Sequence, residues 1–100
     1  MEEGIRKRMK SIQKYTLPAP GQSVVGFHLP LNAKAIYANV LGEQAFLFVW
    51  VGRNRTLTKE RFFAVVKDGW ELPEDAEYVS SFRDQRGIWH VIEKRSGALN

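Results

Sequence analysis

The feature that most restricts this chain is the stretch Glu77-Tyr-Val-Ser-Ser-Phe-Arg-Asp-Gln-Arg-Gly-Ile-Trp-His-Val-Ile-Glu93. Two short runs of alternating apolar residues flank the polar turn Arg83-Asp-Gln-Arg-Gly87. Alternation with period two puts one side-chain set on each face of a strand, and a Gly-containing turn between two such runs writes a β-hairpin. The same grammar recurs upstream. Short apolar runs are separated by Pro18-Ala-Pro-Gly21, Pro30, Gly42-Glu43, Gly52-Arg-Asn-Arg55 and Asp68-Gly69. Turn signals at roughly ten-residue intervals belong to sandwiches and small barrels.

The expected strands are Met9 to Leu17, Ser23 to Leu29, Ala33 to Leu41, Ala45 to Val51, Thr58 to Lys67, and the two arms of the hairpin. Ala45 to Val51 is apolar at every position. A strand covered on both faces reads that way, so it is expected to be central. Thr58 to Lys67 could open as a helix capped by Thr58, but Phe62-Phe-Ala-Val-Val66 favours strand. Leu72-Pro-Glu-Asp-Ala76 reads as a loop or one helical turn. The expected architecture is all-β and mainly antiparallel, a single β-sandwich or open barrel of about seven strands. Residues 1–8 are expected to be a disordered extension, 9–93 the β domain, and 94–100 a frayed tail. The expected core is Ile36, Ala38, Val40, Leu47, Val49, Phe63, Val65, Tyr78, Phe82, Trp89 and Val91, with Trp50 also assigned inward.

Composition removes several function classes. With no cysteine there is no disulfide, thiolate zinc site or thiol nucleophile, and a cytoplasmic protein fits best. The longest apolar run is far below the roughly 20 residues that span a bilayer. The charged N-terminus is followed by no apolar signal region, so a membrane role is not expected. The net charge of +4 is unevenly placed. Residues 1–14 and 53–61 each carry net +3, whereas 62–80 carry net −4.

From Met9 onward the order of short motifs is distinctive. It runs Lys10-Ser-Ile-Gln-Lys-Tyr-Thr-Leu17, Leu29-Pro30 with Ala33-Lys34, then Arg61-Phe-Phe-Ala-Val-Val66, Gly69 and Leu72-Pro73. Glu77-Tyr-Val-Ser-Ser-Phe82 and Trp89-His-Val-Ile-Glu93 close it. In these the chain resembles a family of small uncharacterised proteins of phages and prophages. The resemblance implies a phage or prophage origin and a compact β domain, and it carries no activity and no site residues. It also implies that residues 1–8 lie upstream of the family's usual start at Met9.

Catalysis is poorly written here. The two histidines, His28 and His90, lie near no second ligand at metal spacing. The glycines are scattered singly, so no phosphate-cradling loop exists, and no cofactor is expected. His90 should face away from Trp89, beside Ile88 and Ile92, either as a pH-sensitive contact or as a satisfied sheet histidine. The favoured reading is a non-enzymatic module that binds a host protein. Trp70, in an acidic turn, and His90 are its candidate contacts. An edge strand adds a route to a homodimer. The alternative is binding of single-stranded or non-specific nucleic acid by the basic segments 6–14 and 53–61. Its candidate contacts are Lys10, Lys14, Arg53, Arg55, Lys59 and Arg61. Convergence of those six on one face would decide for it.

Overall fold

A computed structural model describes residues 11–19, 24–52 and 57–95. It contains the strands β1 (Ser11–Thr16), β2 (Val24–Pro30), β3 (Lys34–Leu41), β4 (Gln44–Val51), β5 (Thr58–Lys67), β6 (Glu77–Asp84) and β7 (Gly87–Lys94). They form two antiparallel sheets, one of three strands ordered β1-β4-β3 and one of four ordered β2-β5-β7-β6. No helix is present among the described residues. The all-β sandwich expected from turn spacing is therefore the observed architecture, and β4 is central in its sheet. Lys94 closes β7 and is buried, so the expected frayed tail does not begin there. Residues 1–8 and 96–100 lie outside the described residues.

The turns follow from glycine placement. Gly42 takes a φ of +67° at the first position of the β3–β4 turn, while Glu43 keeps a negative φ. Glycine first is what a two-residue type II′ hairpin turn needs. Gly87 (φ +136°) follows the Gln85-Arg86 turn as the first residue of β7, and within that turn Asp84 Oδ1 accepts the Arg86 backbone N–H at 2.8 Å. A short acceptor two residues upstream of an N–H is the usual device for holding such a turn.

The core fills the space between the sheets. Leu47, Val49 and Val51 of β4 meet Phe63, Val65, Val91, Phe82 and Trp89 of the larger sheet, with Leu17 and Leu29 sealing the chain crossings. Tyr15 of β1 and Phe27 of β2 close one side, their ring centroids 5.0 Å apart. On the other side β3 lies against β6.

Three inward assignments are overturned. Ile36 is only half-buried, because the β3–β4 register slips between Ala35 and Tyr37. Tyr78 is 61% exposed, because the β6–β7 register slips between Tyr78 and Ser80. A bulge inserts one residue and reverses the in–out phase beyond it. Trp50 is 43% exposed. Only the Ala45, Leu47, Val49 and Val51 face of β4 is covered by the second sheet, and Phe46, Phe48 and Trp50 point the other way.

Candidate functional site

β7 alternates as its sequence requires, with Trp89 inward and His90 outward, and His90 pairs with Val66 of β5 and Ser81 of β6. Asp68 sits just beyond β5, where Gly69 (φ +92°) turns the chain and the Asp68 backbone N–H donates to Ile88 O at 3.3 Å. That turn aims the Asp68 carboxylate at His90, with Nε2 and Oδ1 2.7 Å apart. The bulge in β6 brings Tyr78 outward to the other nitrogen, its hydroxyl 3.2 Å from Nδ1. In the neutral ring, the carboxylate selects Nε2 as the protonated nitrogen and leaves Nδ1 to accept from Tyr78. The rings of Tyr78 and His90 lie 5.6 Å apart.

Trp70 follows on the same turn, its backbone N–H donating to Lys67 O at 3.2 Å, and its side chain is 45% exposed. Leu72 and Ile88 are also exposed. The two residues singled out for protein contact, Trp70 and His90, are thus linked through the Asp68 turn on the outside of the four-stranded sheet. His28 lies on the exposed outside of β2, paired with Glu60.

The three basic candidates among the described residues, Lys14, Lys59 and Arg61, do not gather on one face. Lys10, Arg53 and Arg55 lie outside the described residues. Arg61 points between the sheets. Its Nε and Nη2 donate to Glu93 at 2.6 and 2.7 Å, and Nη1 donates to the Ala33 carbonyl at 2.6 Å. Glu93, first by its hydrogen bonds and then by its charge, holds the guanidinium pKa above its ordinary value. Arg61 is therefore a structural tie and not a surface contact, which corrects its assignment. Lys59 lies at the same end of the sandwich, in a cleft that also holds Glu60, Asp75, Glu77 and Glu93. Of the three described candidates only Lys14 stands on an exposed sheet face, and that face belongs to the other sheet.

That face went unforeseen. Across the outside of the three-stranded sheet, strand register sets out three rows: Ile12–Trp50–Lys34, Lys14–Phe48–Tyr37 and Thr16–Phe46–Asn39. The central column is wholly aromatic. Tyr37 packs on Phe48 with centroids 5.8 Å apart, and Lys14 Nζ lies 4.5 Å from the centre of the Phe46 ring. Ile12, Tyr37, Leu41 and Trp50 are exposed on this side. The signal was present in β4, where aliphatic residues occupy one phase and aromatic residues the other.

A family model described as Domain of unknown function (DUF7352) matches residues 9–99. The chain belongs to this family. No curated protein and no solved structure matches the chain.

The two outer faces of this DUF7352 domain differ in charge. None of the strands β1, β3 and β4 contains Asp or Glu, and their two lysines, Lys14 and Lys34, both face outward. The segment that carries Trp70 also carries Asp68, Glu71 and Glu74, all exposed. Among the described residues no group of three or more His, Asp and Glu is placed to hold a metal ion, and no helix is long and apolar enough to cross a membrane.

Proposed function

We propose that this domain is a non-enzymatic, protein-binding module that docks a partner on the outside of its four-stranded sheet, around Trp70, Tyr78 and His90. The observation that carries this reading is the Asp68–His90–Tyr78 chain of hydrogen bonds beside an exposed tryptophan. It holds polar and aromatic groups in place before any partner arrives. Pre-organised aromatic side chains lose little entropy on binding and recur as interface anchors. The carboxylates around them repel nucleic acid and suit a basic protein surface. The resemblance to phage and prophage proteins makes a protein of the bacterial host, met in its cytoplasm, the partner to seek.

The test is affinity capture from host lysate with the full chain, with and without nuclease, using wild type, Trp70→Ala and Tyr78→Ala. The reading expects a defined protein that survives nuclease and is lost with both substitutions, while each variant melts within a few degrees of wild type. Capture that both variants retain would refute it. A large loss of stability in Trp70→Ala would show that this side chain belongs to the fold.

A further inference from the structure

We infer that the outer face of the three-stranded sheet is a second binding site, which takes single-stranded nucleic acid. Phe46, Phe48 and Trp50 stand at alternate positions of β4 and so repeat about every 6.8 Å along the strand. That is about twice the 3.4 Å step of a strand stacked in a duplex. Bases can match this spacing only when pulled out of stack, so the face selects an extended single strand over a duplex. Tyr37 widens the platform beside Phe48, and Trp50 and Tyr37 expose 43% and 48% of their surface. Stacking on such rings tolerates any base, because every base has a π-face.

The charges fit the same ligand. Lys14 on β1 and Lys34 on β3 flank the aromatic column from opposite edges. The three strands hold no carboxylate to repel a phosphate. Lys14 now covers the Phe46 ring and reaches a phosphate by a change of rotamer. A second copy of this chain fits less well, because the three strands carry two lysines and no carboxylate, so pairing this face with itself adds like charges and gains no ion pair. Of the described basic residues read from sequence, Lys59 and Arg61 stand elsewhere and Lys14 is shared.

The test is fluorescence anisotropy of the full chain with a labelled oligo-dT strand of about 20 nucleotides, long enough to cover the face. It is run from about 50 to 200 mM salt against wild type, Trp50→Ala and the double variant Lys14→Gln/Lys34→Gln. Trp50→Ala is expected to weaken binding about fivefold or more, since one stacked base is lost. The lysine pair is expected to reduce the slope of log affinity against log salt by about 1.4, at about 0.7 per phosphate contact on a single strand. A duplex of the same length should compete poorly.

Absence of saturable binding at low salt overturns the inference. So does binding that both variants retain in full, which would place it elsewhere on the chain, or equal affinity for duplex. Sedimentation of the same samples covers the remaining occupant. If Trp50→Ala turns a dimer into a monomer without changing oligonucleotide binding, the face belongs to a second copy and the inference falls. Trp70→Ala, which tests the protein site, is expected to leave anisotropy unchanged, so the two readings fail separately.

Discussion

Replacing Arg61 by Ala should destabilise the domain far more than an arginine counted as a surface contact would allow. The substitution removes two charge-assisted hydrogen bonds to Glu93 and one to the Ala33 carbonyl. It also strands the Glu93 carboxylate. The two side chains keep only 14% and 21% of their surface in water. Breaking a buried pair by removing one partner costs about 3–5 kcal/mol. Residual solvent access reduces this to about 2–4 kcal/mol here. A domain of this size has about 5–15 kcal/mol in total. At about 4–8 °C per kcal/mol, the melting temperature should fall by roughly 8–32 °C. Arg61→Lys keeps the charge but loses the two-pronged geometry, and should fall between wild type and Ala. The double variant Arg61→Met/Glu93→Met leaves no orphaned charge and should be milder than Arg61→Ala. Urea and thermal unfolding of the four proteins give the comparison. An Arg61→Ala protein that melts within about 3 °C of wild type would refute the reasoning. It would return Arg61 to the pool of surface cations.

Two further perturbations test other parts of the fold. Asp84 accepts the Trp89 indole N–H at 2.9 Å and is held below the ordinary carboxylate range, first by that bond and then by Arg86. A depressed folded pKa contributes stability above the unfolded pKa, and this is lost as pH falls through the folded value. The gap between wild type and Asp84→Asn, followed by urea unfolding, should therefore be constant near neutrality and narrow below about pH 4. A gap that widens in acid would refute the assignment. In the core, Leu47→Ala should cost about 2–5 kcal/mol, because the side chain is fully buried. Ile12→Ala, on the outer face, should cost under about 1 kcal/mol. Equal losses in denaturant titrations would mean that the outer face is covered.

The strands were legible in the sequence because their punctuation is local. Gly42, Gly69, Gly87 and Pro30 end runs for reasons each residue carries by itself. The in–out assignments failed at Ile36 and Tyr78 for one shared cause, a register slip in each edge strand that meets the other sheet. A bulge leaves no mark in a period-two pattern until the partner strand is known. Trp50 failed for another reason. An all-apolar strand looks the same whether its second face is covered by another sheet or faces outward. The Trp70–His90 pairing was half readable: both residues stood out, but the link through Asp68 spans 22 positions and exists only in the fold. The role of Arg61 was invisible, since its partner Glu93 lies 32 positions away and looked like an ordinary strand-end acid.

The order β2-β5-β7-β6 has a consequence for synthesis. The last of the described strands, β7, is inserted between β5 and β6 and is not added at a border. A nascent chain that has reached Asp84 holds β5 and β6 with a gap between them, and lacks Trp89, Val91 and Glu93. Arg61 then has no carboxylate and Asp84 has no indole. The molecule cannot settle piece by piece from its beginning. Its larger sheet can close only once β7 has been made, so the four-stranded layer is completed late.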